Sequence, residues 1–246
     1  LYNLVPNRVF CRIFDKKDTC TSGVYGLHRA NSDLMQKEIQ RNYQSIADTL
    51  GANTLFTLNQ VHGNTVIDVD LLAKPLNPEP IGDALLTTQP QRILGVLTAD
   101  CVPVLLSDTE GKVIGAAHCG WKSTKAHLLQ NLVEHLQKKG GTSFRALIGP
   151  SIQWSSYEVD RHFYHAFLDD NSSYNRFFKP SQQARHYLFN LPALVKHQLQ
   201  TLGIHDILHL DFDTYSMADR YPSFRRDTHQ GLPKAKNNIL STIFIR

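Results

Sequence analysis

Two histidines and one cysteine stand out because each lies in a short polar motif beside an apolar run: His62, Cys101 and His118. The motifs read Gln60-Val61-His62-Gly63, Thr98-Ala99-Asp100-Cys101-Val102-Pro103 and Ala117-His118-Cys119-Gly120-Trp121-Lys122. Two imidazoles and one thiolate form a donor set that suits zinc. Three protein ligands leave the fourth tetrahedral position for water or substrate. The three residues therefore predict a catalytic metal site.

The three positions are widely separated along the chain, which is typical of catalytic metal sites rather than of zinc fingers. A chain with 12 histidines also offers some His/Cys combinations by chance. Two other interpretations of Cys101 stay open. It could be a small buried hydrophobic residue at the head of an apolar run. It could also be a nucleophile that His62 or His118 activates, with Asp100 or Asp83 orienting the imidazole.

Cys119 directly follows His118 but is excluded from the predicted ligand set. In an extended segment, neighbouring side chains point to opposite faces, so the two cannot easily bind one metal. The chain has four cysteines in all, and a protein of this length does not need disulfides for its stability. We interpret all four as thiols.

Three basic residues are candidates for binding an anion. Lys122 lies in the stretch Gly120-Trp121-Lys122-Ser123-Thr124, which leads into a predicted helix whose first amides favour phosphate or carboxylate. Arg225 and Arg226 form the second cationic candidate. An exposed lysine after a turn, and a surface or ion-paired arginine pair, are the competing interpretations.

The elements that must position these residues alternate between helix-like and strand-like patterns. Apolar residues recur at helical spacing from Asp33 to Leu50, before Gly51. Further helices are predicted from Ser123 or Thr124 to Lys139, within Tyr157 to Leu168, and after Asn190 as N-cap. Strand-like runs are Thr54 to Leu58, Val66 to Val69, Ile93 to Leu97, Val102 to Leu106, Val113 to Ala117, Phe144 to Ile148 and Ile207 to Leu210. The polar segment from Asp169 to Ser181 is predicted to be a surface loop.

Composition places few limits on function. The chain has 246 residues, 41% of them hydrophobic, and a formal net charge of +4 that is spread along its length. We expect one mixed α and β domain over residues 1–246, with no nucleic-acid partner. No run approaches the ~18 apolar residues that span a bilayer, and the start lacks a signal-peptide pattern, so we expect a cytoplasmic protein without a membrane partner.

Taken together, the motifs resemble those of the laccase-domain family, also called multicopper polyphenol oxidases and described as purine nucleoside phosphorylases, whose bacterial members include the peptidoglycan editing factor. Beyond the three motifs above, the resemblance includes Gly82-Asp83-Ala84-Leu85-Leu86-Thr87, Ile148-Gly149-Pro150-Ser151-Ile152 and Tyr157-Glu158-Val159. Matches in the same order along most of the chain make chance agreement improbable.

The resemblance implies an α+β fold in an α/β/β/α layering and zinc on His62, Cys101 and His118. It also implies phosphorolysis of purine nucleosides such as adenosine, inosine and guanosine, with accompanying adenosine deamination. Lys122, Arg225 and Arg226 would then hold phosphate, and Asp83 or Asp100 would orient a metal ligand. The laccase activity ascribed to the family would need copper instead of zinc.

The chain departs from the family pattern at several positions. Lys122 stands where an arginine is usual, so a point charge replaces a bidentate clamp. Leu232 stands where a further arginine is common, and Asp213-Thr214 stands for a usual Cys-Thr. These changes affect how the protein would hold phosphate and which substrate it would prefer.

The leading hypothesis is a zinc-dependent purine nucleoside phosphorylase. Three alternatives from other classes stay open. They are a hydrolase that edits a peptidoglycan precursor, a binding protein that keeps the pocket without turnover, and a copper-dependent polyphenol oxidase.

Overall fold

Two large β-sheets lie face to face at the centre of the protein. The computed structural model describes residues 1–18, 20–23, 25, 32–232 and 237–246. In spatial order, the first sheet contains β1 (Tyr2–Val5), β2 (Val9–Phe14), β14 (Ile239–Ile245), β6 (Arg92–Thr98) and β3 (Thr54–Phe56). The second contains β13 (Asp206–His209), β9 (Phe144–Ile148), β7 (Val102–Asp108), β8 (Ile114–Cys119), β5 (Ala84–Thr87) and β4 (Val66–Asp68). Both sheets mix parallel and antiparallel pairs.

The core between the sheets follows from the two-residue period of the strands. On β6, Leu94 and Val96 face the second sheet, whereas Ile93 and Leu97 face the opposite side. Leu105 of β7 packs with the inner set. Because both faces of these strands are buried, their sequences are almost continuously apolar.

Helices cover the two outer faces. Helix α1 (Asp33–Leu50) packs Ile46 and Leu50 against the first sheet, begins at the N-cap Ser32 and ends at Gly51, whose φ is 62°. Helices α3 (Leu128–Lys138) and α5 (Leu191–Thr201) cover the second sheet. The resulting α/β/β/α layering confirms the predicted fold class.

The helix predicted from Ser123 or Thr124 to Lys139 is divided in the structure. A short helix α2 (Trp121–Lys125) is separated from α3 by His127, which adopts a left-handed φ of 58°. Helix α3 can then lie close to β8 at Gly115, where an added Cβ would meet Leu132 Cδ1 at 3.0 Å.

A third, small sheet replaces the predicted loop and part of a predicted helix. Its strands, in spatial order, are β10 (Glu158–Asp160), β12 (His186–Phe189) and β11 (Phe178–Pro180). The remaining part of the helix predicted within Tyr157 to Leu168 is α4 (Arg161–Leu168). The segment predicted as a surface loop holds a 3₁₀ turn and β11, because Phe177 and Phe178 are buried in an aromatic cluster.

The last helix, α6 (Phe224–His229), begins at the N-cap Ser223 and carries both candidate arginines. The chain then returns to the first sheet as β14, between β2 and β6. Among the described residues, no helix is long and apolar enough to cross a membrane.

Candidate metal centre

The three side chains predicted as metal ligands lie together at one end of the strands of the two large sheets. One ligand atom from each of His62, Cys101 and His118 lies within 4.8 Å of the others. Cys101 Sγ is 3.7 Å from His62 Nε2, and the two imidazole centroids are 4.7 Å apart. Such a cluster could hold a metal ion.

The chain path explains why distant residues meet. His62 lies on the connection from β3 to β4, and Cys101 lies on the connection from β6 to β7. Both connections pass from the first sheet to the second. His118 lies near the end of β8, opposite Pro103 near the start of β7, so it lies at the same end of the strands as Cys101.

The buried carboxylate of Asp83 holds two of the three ligands. It accepts the backbone N–H groups of Val61, His62 and Gly63 at 3.2, 2.9 and 2.7 Å. These bonds stabilise the left-handed φ of 62° at His62, a conformation that is uncommon for residues other than glycine. Asp83 Oδ1 also accepts a hydrogen bond of 2.8 Å from His118 Nδ1. That bond leaves Nε2 of His118 for the cluster.

Gly120 permits the close approach of His62. A Cβ at this position would lie 2.6 Å from His62 Cδ2 and 3.1 Å from Cys101 Sγ. The backbone there is extended, with φ −71° and ψ 166°, so space rather than backbone freedom explains the glycine. The main chain at Gly120 therefore forms one wall of the cluster.

The donor set fits zinc. Zinc bonds of ordinary length to nitrogen and sulfur place two tetrahedral ligand atoms about 3.5 Å apart. The 3.7 Å between Cys101 Sγ and His62 Nε2 is close to that separation. Zinc binds neutral imidazoles and thiolates, and the carboxylate of Asp83 fixes the ring of His118 for this role.

Electrostatics favour a thiolate beside an imidazolium in the protein without metal. Burial opposes ionisation of Cys101, but His118 and His62 outweigh it and lower the pKa of the Cys101 thiol to about 6. Burial disfavours a charged His118, yet Cys101 and Asp83 raise its pKa to about 9. Burial alone would raise the pKa of Asp83, but its hydrogen bonds and the charge of His118 leave it lowered.

Asp100 contacts a different set of groups from those predicted. Among the described residues, its carboxylate bonds to Thr214, Ser223 and Arg225 rather than to the side chain of a metal ligand. Burial raises the pKa of this carboxyl group. Of the two candidate aspartates, Asp83 makes the contact that orients a histidine.

The three candidate cations have different surroundings. Lys122 is exposed, and its Nζ lies 5.5 Å from the ring centroid of Trp121. Arg225 is half-buried, donates from Nη1 to the carbonyl of Glu158 and lies over the ring of Tyr157.

Arg226 is buried, and its guanidinium donates to the carbonyls of Thr214, Tyr215 and Tyr221 at 2.7–2.8 Å. The anion-binding role of Arg226 stays a prediction. The guanidinium is engaged by the backbone and holds the chain before α6 in place.

Sequence reasoning assigned no role to two residues that build the centre, Gln60 and Gly120. The Gln60 side chain donates to the carbonyl of Leu97 at 2.7 Å and accepts from its N–H at 2.8 Å, which joins the His62 loop to the end of β6. A glutamine so close to a candidate ligand is a sequence signal for a structural role in the site. Its backbone partner, however, is distant in the sequence.

Comparison with known proteins gives the family. The sequence model of the family described as "Multi-copper polyphenol oxidoreductase laccase" matches residues 19–233. A Rickettsia conorii protein named purine nucleoside phosphorylase is 39% identical over 243 residues, covering 99% of each chain. A Xylella fastidiosa protein of the same name is 31% identical over 198 residues, covering 78% of this chain and 75% of its own.

Solved structures share the fold. A crystal structure from Neisseria meningitidis superposes with a TM-score of 0.83 at 24% identity, covering 98% of this chain and 96% of its own. A second, from Geobacillus stearothermophilus, gives 0.79 at 20% identity, covering 97% and 92%. With the extent of the family match and the identity to the Rickettsia protein, the chain belongs to the multi-copper polyphenol oxidoreductase laccase family.

Proposed function

We propose that the protein is a zinc-dependent purine nucleoside phosphorylase whose metal is held by His62, Cys101 and His118. The observation that carries this proposal is that the three ligand atoms lie close together and that Asp83 accepts a hydrogen bond from His118. The Rickettsia conorii relative, named purine nucleoside phosphorylase, supports it over the full length of the chain. When bound by three protein ligands, zinc supplies a Lewis acid with one position open to water or substrate.

Phosphorolysis forms a bond between a phosphate oxygen and C1′ of the ribose while the bond from C1′ to the purine nitrogen breaks. Inosine and phosphate then yield hypoxanthine and ribose 1-phosphate. The protein must bring an anion to the sugar and stabilise the charge that moves to the base. We assign the anion to Lys122 and Arg225, whose side chains are not held in ion pairs within the described part of the chain.

We also assign adenosine deamination to this centre. Water would add to C6 of the purine while the bond from C6 to the amino nitrogen breaks and ammonia leaves, and a zinc ion held by the three donors would supply the activation of that water. The four cysteines are free thiols in the structure, which suits a reducing compartment, and we place the protein in the cytoplasm.

The experiment uses purified zinc-loaded protein with inosine or adenosine, with and without inorganic phosphate. We expect ribose 1-phosphate and free base only when phosphate is present, and inosine as a further product from adenosine. Cys101→Ala should abolish both reactions, whereas Cys119→Ala should retain them because that thiol, at the end of β8, is buried in the core between the second sheet and its helices. Nucleoside binding without any product would contradict the proposal and favour a binding protein.

One observation favours a second candidate, a hydrolase with Cys101 as nucleophile. The carboxylate of Asp83, the ring of His118 and the thiol of Cys101 form a sequence of acid, imidazole and nucleophile. A peptidoglycan precursor carrying a misplaced serine is the substrate to test. Its hydrolysis by protein stripped of zinc would favour this candidate over the metal enzyme.

The family description also names polyphenol oxidation, which requires copper. Among the described residues there is one His/Cys cluster that could hold a metal, whereas multicopper oxidation uses several ions. Oxidation of a phenol by copper-loaded but not zinc-loaded protein would support copper as the cofactor.

A further inference from the structure

We propose that Asp100 is a positioning residue that fixes Arg225 beside the metal centre, so that the anion-binding arginine and Cys101 are held as one unit. This inference rests on the proposed function, because it assigns Arg225 to phosphate. It gives Asp100 a role that does not involve a metal ligand.

Asp100 joins the turn before β7 to two later segments of the chain. Its Oδ1 accepts the hydroxyl of Thr214 at 2.6 Å. Its Oδ2 accepts the hydroxyl of Ser223 at 3.0 Å and the backbone N–H of Arg225 at 2.7 Å. Its carbonyl accepts the N–H of Ile152 at 2.9 Å. The carboxylate is 8% exposed, so these bonds replace solvent almost completely.

The backbone at Asp100 has a left-handed φ of 96°. This conformation is uncommon outside glycine, and aspartate is among the residues that tolerate it best. It allows two neighbouring residues to serve different partners: the carboxylate reaches the segment of Thr214 and Ser223, while Cys101 reaches the two histidines. The strain is consistent with a functional constraint on this turn.

Arg225 is held at both ends. Its N–H bonds to Asp100, and its Nη1 donates to the carbonyl of Glu158 at 2.8 Å, with the guanidinium carbon 5.0 Å from the ring centroid of Tyr157. Nε and Nη2 have no hydrogen-bond partner within the described ranges. A guanidinium with two unused donors and a fixed stem is prepared for a bidentate anion.

The type of contact separates this role from a simple ion pair. Asp100 accepts the backbone N–H of Arg225 and does not pair with its guanidinium. The positive charge therefore stays available to a phosphate, while the position of the residue is set. An asparagine would place an NH₂ group opposite one of the donors that Asp100 now accepts, so it would disturb the position of Arg225 with little change in volume.

The experiment compares zinc-loaded wild type with Asp100→Asn. We expect the KM for phosphate to rise roughly ten- to hundredfold, because small displacements of a positioning group have effects of this size. The KM for inosine and the zinc content should stay unchanged. Calorimetric titration with inorganic phosphate, without nucleoside, should show the same loss of affinity and does not depend on turnover.

Asp108→Asn is the matched control. Asp108 is a buried aspartate at the opposite end of β7, and it accepts the backbone N–H groups of Lys112 and Val113. This variant should lose stability but keep the phosphate affinity of wild type. Should Asp100→Asn fail to fold, Thr214→Val and Ser223→Ala remove one partner each. Ser223→Ala should then weaken phosphate binding more than Thr214→Val, because Ser223 also caps the helix of Arg225.

Loss of zinc in Asp100→Asn, equal changes in both KM values, or unchanged phosphate affinity would each overturn the inference. If wild type binds phosphate without turning over nucleosides, the proposed function fails, but weaker phosphate binding by Asp100→Asn still supports the positioning role. If wild type binds no phosphate, the positioning role fails even where nucleosides are hydrolysed.

Discussion

Cys101 has a chemical environment that differs from those of the two fully buried thiols of the protein. It is half-buried and lies beside two imidazoles, whereas Cys11 and Cys119 are fully buried in apolar surroundings. Burial raises the pKa of both of these thiols well above the usual range. Reactivity of a cysteine follows its thiolate fraction and its exposure, so Cys101 should differ measurably from them.

We predict that Cys101 in zinc-free protein is alkylated by iodoacetamide with a midpoint near pH 6. Burial opposes ionisation, but the neighbouring histidines lower its pKa to about 6, so the thiolate forms as pH rises through that value. Rates for each cysteine, read by mass spectrometry between pH 5 and 9, test this. Cys11 and Cys119 serve as internal controls and should stay unmodified in the folded protein. A midpoint near the ordinary value of about 8.5 would contradict the proposed environment.

We predict that Gly120→Ala weakens zinc binding with little change in folding. The new methyl group would lie 2.6 Å from His62 Cδ2 and would displace the ring. In preorganised sites a displacement of about 1 Å costs roughly a hundredfold. We therefore expect the zinc affinity to fall by about that factor. Competition with a chelator measures the affinity.

Gly95→Ala is the control, because its Cβ would be equally crowded, at 2.8 Å from Leu240 in the first sheet. That variant should lose stability and keep its zinc affinity. Equal zinc affinity in Gly120→Ala and wild type would show that the close approach of His62 to Gly120 does not contribute to zinc binding.

At the scale of elements, Asp83 is the group that connects the His62 loop to β8. It serves three consecutive N–H groups and one imidazole from a fully buried position just before β5. Its lowered pKa means that this stabilisation is complete above the pKa of the unfolded chain and is lost as pH falls through the lower native value.

We predict that Asp83→Asn lowers zinc affinity by roughly 10- to 100-fold, because groups that orient metal ligands have effects of this size. It should also lower the free energy of unfolding by about 1–3 kcal/mol, since an amide cannot replace every acceptor. Chelator competition and urea unfolding measure the two effects.

Asp70→Asn is the comparison variant. Asp70 accepts the N–H of Thr88 and hydroxyls near the far end of β5, away from the metal ligands. Asp70→Asn should lower the free energy of unfolding without changing the zinc affinity. Unchanged zinc affinity in Asp83→Asn would remove the orienting role.

Elements with strong local patterns could be predicted from the sequence. Helix α1 and the strands β6, β7 and β8 follow from apolar spacing, and with them the polar motifs at the strand ends. Strand β14 was not predicted, because its place between β2 and β6 depends on pairing across most of the chain. The small third sheet was missed for a similar reason, since Phe178 and Phe189 stack only after folding.

The candidate site divides in the same way. Residue types and motifs indicated His62, Cys101 and His118, which the structure brings together. The partners of Asp100 and Arg226 could not be predicted, because they lie in segments far away in the sequence. Local sequence patterns identify the candidate site residues, but the hydrogen-bond partners of these residues depend on the fold.

At the scale of the whole molecule, the candidate metal centre lies where two connections pass from the first large sheet to the second. A metal held by His62, Cys101 and His118 would join both connections to β8, and only the native state brings these three ligands together. We predict that free zinc at 100 times its dissociation constant raises the free energy of unfolding by about 2.7 kcal/mol. Thermal unfolding with and without zinc measures this. An equal zinc-dependent shift in Cys101→Ala would contradict a site at these connections.

The central claim is that three distant side chains hold one zinc ion, and metal analysis tests it most directly. Protein purified without added metal should contain about one zinc per chain in wild type and in Cys119→Ala, and almost none in Cys101→Ala. His118→Ala should also lose the metal. Stoichiometric zinc in both Cys101→Ala and His118→Ala, or wild type that binds no zinc even when zinc is supplied, would contradict the account.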